Sequence, residues 1–170
     1  MSMQYDVKQG HLNSSGYFVN YPVRVKGVSF AGSASAGTLV LFDTSSTPVS
    51  SSVTYAQTAN TVTVTKTAHG LTTGTVIGIH FATNSGVSAT DGTYVITKTG
   101  ADTFTLTDVN SRSIASTAAV YTVGKWLLTY ESTAGDVYTN VPFIPGEGIR
   151  AETGVYALMT NLDSAQIIYG

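Results

Sequence analysis

The sequence predicts an all-β protein, a discontinuous β-sandwich host domain carrying an inserted small β-barrel or sandwich module. Threonine alternates with apolar residues in Thr61-Val62-Thr63-Val64-Thr65 and in Thr103-Phe104-Thr105-Leu106-Thr107. Successive side chains of a strand point to opposite faces, so this alternation marks strands with one wet face and one dry face. No window of about eleven residues carries helical periodicity. Apolar runs instead recur at a spacing of roughly ten residues, punctuated by Gly70, Gly74, Gly86, Gly92 and Gly100, which suits a small barrel or sandwich.

Taken in order, Met1 to Gly16 is polar and reads as an extended arm or a short edge strand. Tyr17-Phe18-Val19 begins a strand. Tyr21 to Val28 follows, with Val23 and Val25 on one face and Arg24 and Lys26 on the other, a solvated or partner-facing surface. Pro22 cannot donate to a ladder and marks a strand start or an edge. Ala31 to Gly37 is a run of small residues, either a turn or a flat strand that another backbone or subunit approaches closely. Thr38 to Phe42 is a buried strand, stopped by the Ser/Thr/Pro run Asp43–Pro48.

From Val53 to Val123 threonine is far denser, and strands are expected at Val53–Tyr55, Thr61–Lys66, Val76–Phe81, Gly92–Thr99, Thr103–Asp108 and Ala118–Val123. Asp91-Gly92 and Thr99 to Asp102 are turn chemistry. Lys125 to Tyr130 resumes the apolar style of Leu39 to Phe42, with Trp126, Leu128 and Tyr130 on one face. Gly135-Asp136 makes a turn, Val141–Ile144 a short strand and Pro145 to Ile149 a loop. Val155–Thr160 and Gln166–Tyr169 are the last strands, with room for a short turn near Ser164–Gln166. A chain ending directly after a strand predicts a terminus held in a sheet. The flanks are alike and the centre differs, so the expected division is residues 1–48 plus 124–170 as host and 49–123 as insert. Insertion at a loop is tolerated when the host's two ends lie close together, which makes Asp43–Pro48 and Gly124-Lys125 neighbours.

A chain of 170 residues with 42% hydrophobic content can bury a real core. Charged residues are only 11%, against roughly 25% in ordinary domains. This suits a surface covered by neighbours or solubilised by hydroxyls. The β-branched and aromatic content excludes a disordered chain. Net charge is −2 with no basic run, so no nucleic-acid partner is expected. Absent cysteine excludes disulfides, thiolate metal sites and a cysteine nucleophile, and fits folding in a reducing cytoplasm. Met1 to Gly10 has no apolar run and no segment reaches transmembrane length, so neither a signal peptide nor a membrane partner is expected.

His11, His69 and His80 are far apart, without metal-ligand spacing. His69 is expected to shape the turn before Leu71, and His80 to lie on the exposed face of a strand. Asp43, Asp91, Asp102, Asp108, Glu131, Asp136, Glu147, Glu152 and Asp163 are scattered, mostly beside Gly, Ser or Thr, where a carboxylate caps a turn. A glycosidase needs two carboxylates facing across a cleft, and nothing in the spacing pairs these. Nucleophile-elbow and phosphate-loop patterns are absent. No catalytic, metal or cofactor residue is therefore expected, and no enzyme. The chain has 10 tyrosines, of which Tyr5, Tyr17, Tyr21, Tyr156 and Tyr169 suit core or interface.

The centre, with its Thr-rich strands, Ala68-His69-Gly70-Leu71 and Asp91-Gly92-Thr93-Tyr94-Val95-Ile96, resembles a small β module that recurs in tailed-bacteriophage virion proteins. That module is likened to a β-barrel subdomain of ubiquitin-activating enzymes. The flanks resemble short structural proteins of podovirus-like phages of marine bacteria and cyanobacteria. The matching pieces are Val23-Arg24-Val25-Lys26-Gly27, Gly32 to Asp43, Ile144-Pro145-Gly146-Glu147-Gly148-Ile149 and Ile168-Tyr169-Gly170. Together they cover most of the chain.

The resemblance implies a virion component made in the host bacterial cytoplasm, with no catalytic residues. Its implied partners are other virion proteins, either the major capsid protein or portal and tail proteins, and further copies of itself as a homo-oligomer. A capsid decoration or cement subunit is the first expectation, since many weak contacts over a symmetric shell add up. The alternatives are a neck or tail adaptor or fibre-base component, and a carbohydrate-binding module that attaches to a host-surface glycan. For the last, Phe81 and Tyr94 are the candidate aromatics, although strand alternation directs them to the core. The interface candidates are Tyr5 and Tyr17 near the N-terminus, Arg24 and Lys26, the small residues Gly32, Ala34 and Gly37, and the loop residues Pro145, Gly146, Glu147 and Gly148. Exposed strand edges and Gly/Ala backbone admit close approach by another chain.

Overall fold

The computed structural model describes residues 7–134, 144 and 146–170, with 139–141 as backbone only. Tyr5, Pro145, the expected turn at Gly135-Asp136 and the middle of the expected Val141–Ile144 strand lie outside the described residues. Among the described residues the fold is all-β, with 64% of them in strands, no helix, and several antiparallel sheets of which none closes into a barrel. The strands, in chain order, are β1 (Lys8–Leu12), β2 (Gly16–Val19), β3 (Val23–Gly32), β4 (Gly37–Asp43), β5 (Thr54–Thr65), β6 (Val76–Phe81), β7 (Gly92–Val95), β8 (Thr97–Lys98), β9 (Thr103–Val123), β10 (Lys125–Ser132), β11 (Thr139–Val141), β12 (Ile149–Ala151), β13 (Val155–Thr160) and β14 (Leu162–Tyr169). The chain divides into a discontinuous unit 1, Met1–Ser45 with Leu127–Gly170, and a continuous unit 2, Ser46–Trp126.

Unit 1 is a sandwich. One sheet runs β1-β14-β3-β11, with β12 also on β3, and the other runs β10-β4-β13-β2. Val25, Val28, Phe30 and Ile167 from the first sheet and Leu39, Leu41, Val155 and Ala157 from the second share one apolar cluster. Each such side chain taken out of water contributes about 1.5–3 kcal/mol. The alternation of β3 explains its placement, since Val23 and Val25 are buried while Arg24 and Lys26 face outward. A bulge at Lys26, where Ile168 faces Gly27 and Tyr169 faces Val25, then re-phases the strand so that Val28 and Phe30 point inward too. Asp43 ends β4 with a buried carboxylate that accepts the N–H groups of Glu152, Thr153 and Gly154 at 2.8, 2.8 and 3.2 Å. The turn before β13 thus has its backbone donors satisfied.

The N-terminal segment contributes the edge strand β1, paired to β14. The last strand starts earlier than the sequence suggested. The turn falls at Asn161, which has φ +51°, and residues 164–166 belong to β14. The backbone of Gly170 exchanges hydrogen bonds with that of Arg24 at 2.9 and 3.1 Å.

In unit 2 the order is β5-β9-β6-β7, with β8 also on β9. Thr61 and Thr65 are exposed while Val62 and Val64 are buried, as alternation requires. The expected pairs of short strands are continuous instead. Val53–Tyr55 and Thr61–Lys66 merge into β5, and Thr103–Asp108 and Ala118–Val123 merge into the 21-residue β9. The polar stretch between them does not alternate, and only Arg112, Ser113 and Ile114 of it pair with β5, with residues 108–111 and 115–116 bulged out of that ladder. Gln57 holds it, its side-chain amide donating to the carbonyls of Ala59 at 2.9 Å and Asn110 at 2.7 Å. Conversely, the expected strand Gly92–Thr99 is split between β7 and β8, because Ile96 turns into the core and donates its N–H to Thr75 instead. The core is aromatic at its centre, with Tyr55 against Phe81 at 4.6 Å and Phe104 against Tyr121 at 5.5 Å between ring centroids.

Candidate docking surface

The described interface candidates other than Tyr17 gather at two opposite ends of unit 1. At the first end, Arg24 on β3 and Arg150 on β12 are directly opposed in the ladder. Their neighbours Val23, Val25 and Ala151 are buried, so both guanidinium groups leave from the outer face. Opposed positions place Cβ atoms about 5 Å apart, and like charges so placed repel. The compensating carboxylates sit on the rim. Glu147 lies 3.1 Å from Arg24 with its side chain 82% exposed, and Glu152 lies 4.0 Å from Arg150.

The turn that carries Glu147 is pressed onto β3. Gly148 has φ +80°, and a Cβ there would collide with the Val25 carbonyl oxygen. Ile144 donates its N–H to the Lys26 carbonyl at 2.8 Å. Arg24, Lys26, Gly146, Glu147 and Gly148 thus form one surface. A hollow of about 230 Å³ opens between the two arginines, floored by Pro22, Val23 and Ala151. Beside it stand Val7 at 53% and Tyr21 at 43%, exposed large apolar residues among the described residues of unit 1. The Tyr21 hydroxyl lies 3.4 Å from that of Tyr169. This hydrogen bond, helped by burial, pushes the Tyr169 hydroxyl above its ordinary pKa. Lys8 pairs with Tyr169 across the sheet and completes the basic end.

The second end holds the small residues. Ala34 is exposed in the turn between β3 and β4, while Gly32 and Gly37 are buried. Of the two expected alternatives residues 33–36 make the turn, and the close approach at Gly37 comes from the chain itself. A Cβ on Gly37 would strike the Asn161 carbonyl oxygen and the Leu162 side chain, and its N–H donates to the Ser132 hydroxyl at 3.1 Å. Glu131 and Asp163, both exposed, flank this turn. Tyr17 is a packing residue, its ring edge-on to Tyr156 at 4.9 Å beside a hollow of about 560 Å³. Its hydroxyl is enclosed without a partner, and burial raises its pKa.

Sequence reasoning missed Arg150, Glu131 and Asp163 as surface determinants. The only local signal was their charge in a charge-poor chain. Their grouping depends on strand pairing between segments remote in sequence.

In unit 2 the titratable groups tie the backbone. His69 Nδ1 accepts the Leu71 N–H at 3.0 Å, so the ring proton sits on Nε2 and is donated to the Gly100 carbonyl at 3.2 Å. His69 therefore shapes the turn before Leu71. His80 is not on an exposed face. Its side chain is 16% exposed and donates from Nδ1 to Asp91 at 2.6 Å, while Asp91 also accepts the Phe81 N–H at 2.8 Å. Asp102 accepts the Ala68 N–H at 2.7 Å. Asp108 is wholly buried, accepts the N–H groups of Thr90 and Asn110, and pairs with Arg112 at 2.9 Å. Phe81 is buried and Tyr94 packs against it, so neither forms an exposed aromatic platform. Among the described residues no three His, Asp or Glu side chains converge on a common point. No known protein family, curated protein or solved structure matches this chain.

Proposed function

We propose that the chain is a structural subunit of a tailed-phage virion, acting by surface attachment and most simply as a capsid decoration subunit. The observation that carries this reading is the meeting of two segments in which the phage resemblance lies. Val23–Gly27 and Ile144–Ile149 are remote in sequence, yet β12 pairs with β3, and Arg24 bonds Glu147. A motif pair that converges on an outer face, with arginine at its centre and Tyr21 alongside, has the composition of a protein interface. The low charge content, 11% of residues, also suits a body whose surface is covered by neighbours. The hollow at that face, about 230 Å³, is a seat for one side chain and not a cleft for a polymer.

Quantitative mass spectrometry of purified particles tests this. Copy numbers on the order of hundreds mark a head protein, and about a dozen or fewer mark the neck or tail, because portal and tail rings have low cyclic symmetry. Absence of the chain from particles that infect normally overturns the proposal.

A further inference from the structure

We infer that unit 1 associates head to tail with a second copy of this chain, its Arg24–Arg150 corner receiving the carboxylates of Asp163 and Glu131 from the next copy. Unit 1 has four lysines and arginines, Lys8, Arg24, Lys26 and Arg150. All of them lie at the end of the sandwich where β3 starts and β14 finishes. Asp163 follows Leu162, which pairs with Gly32 at the far end of β3. Glu131 precedes Ser132, whose hydroxyl bonds Gly37 at that same far end. Both acids are exposed, and neither has an ion-pair partner among the described residues.

The two ends are separated by about 25 Å, from the rise of roughly 3.3 Å per strand residue. That exceeds the Debye length of about 8 Å at physiological salt, so the ends cannot neutralise one another within a chain. Between chains they can. At the basic end the opposed arginines are met by the exposed rim carboxylates Glu147 and Glu152, a hollow of about 230 Å³ lies between them, and Tyr21 and Val7 are exposed alongside. The acidic end presents its carboxylates around a turn of exposed small residues, Ala34-Ser35-Ala36. Such a turn can approach closely and has little side-chain entropy to lose. Because the two surfaces differ, the contact is heterologous and builds a ring or an open chain rather than a closed two-fold dimer. The inference requires only the charge layout of unit 1, so a chain absent from virions would leave it intact.

Sedimentation velocity of the full chain at about 20 mM and about 500 mM salt tests it. The wild type is expected to form oligomers that grow with concentration at low salt and dissociate at high salt. R24Q/R150Q and E131Q/D163Q should each raise the apparent dissociation constant about tenfold or more. An equimolar mixture of the two should assemble as far as dimers and no further, because each pair of chains retains one intact basic end and one intact acidic end. A wild type that stays monomeric at low salt overturns the inference. So do variants that assemble like the wild type, or a mixture that grows past dimers. Far-UV circular dichroism controls for folding. Should R24Q/R150Q fail to fold, E131Q/D163Q probes the same contact from the other side through two exposed residues.

Discussion

In unit 2 the Asp108 carboxylate is fully buried, and Arg112 reaches it at 2.9 Å with its own side chain 28% exposed. In unit 1 the paired arginines are 39% and 66% exposed, and of their carboxylate partners Glu147 is 82% exposed and Glu152 stands 4.0 Å away. Both units are antiparallel, both have one apolar cluster, and both draw on the same sparse supply of charge. They differ in where that charge points. In unit 2 Asp91, Asp102 and Asp108 each accept backbone N–H groups at a turn or bulge, as Asp43 does in unit 1. Unit 1 differs in its paired arginines, which stand on an outer face where no such backbone need exists. Charge that satisfies buried donors belongs to the fold, and charge that satisfies nothing internal is available to a partner.

The sharpest way to break this comparison is to remove Asp108. Asp108→Ala leaves Arg112 without its carboxylate, with the Thr90 hydroxyl still in reach, and strips acceptors from the N–H groups of Thr90 and Asn110. Breaking a buried pair from one side costs about 3–5 kcal/mol. Denaturant unfolding followed by the fluorescence of Trp126 should show that loss, and a cost below about 1 kcal/mol would remove the distinction between the units. Leu41→Ala is expected to have a comparably large effect in unit 1, since Leu41 is 0% exposed in the cluster of both sheets. Deleting such a side chain costs about 2–5 kcal/mol, readable as a lowered Tm. The same order of loss thus comes from a charge in one unit and from a methyl-rich core position in the other.

The pH dependence sharpens the contrast. Burial alone would raise the pKa of Asp108, but the N–H groups of Asn110 and Thr90, the Thr90 hydroxyl and Arg112 outweigh it and hold the carboxyl below its ordinary value. A folded pKa below the unfolded one means the stabilisation is complete above the unfolded value, near 4. It is lost as pH falls through the lower folded value. At the other extreme, burial and then the charges of Asp108 and Asp91 push Tyr94 up to about 12. A raised folded pKa contributes stability below the unfolded value, near 10, and loses it as pH rises toward the folded one. Hydrogen exchange should therefore show unit 2 amides losing protection at both extremes. Asp108→Asn should flatten the acid limb.

Alternation in Thr61 to Thr65 and Thr103 to Thr107 carried enough information to identify strands and their buried faces, because burial on one side is a period-two constraint. Continuity was not legible. Nothing local in Asn110 to Ser116 says that Arg112, Ser113 and Ile114 stay paired with β5, or that Gln57 reaches across from that strand to the Asn110 carbonyl. Nor did the sequence locate His80, whose partner Asp91 stands on another segment. Val23 to Val28 announced an outward Arg24 and Lys26 through alternation alone. It could not announce Arg150, which joins them only because β12 pairs with β3. Small residues at Gly32 to Gly37 left a turn and a closely approached strand both open; residues 33–36 make the turn, and the backbone that approaches Gly37 is that of Asn161.

The smallest expected effect is the most discriminating. R24Q/R150Q removes two full charges from unit 1 and should change its stability by no more than about 1 kcal/mol. Two terms oppose each other. Loss of the Arg24–Glu147 pair destabilises slightly, because Glu147 is 82% exposed and the pair is screened. Relief of the opposed guanidinium groups stabilises by a comparable amount. Thermal unfolding in high salt, where any self-association is dissolved, isolates this intrinsic term from assembly. A shift of Tm within about 4 °C either way places the arginines outside the fold's own requirements. A loss as large as that of Asp108→Ala would mean that the two units use charge alike, and that the basic end is part of the scaffold.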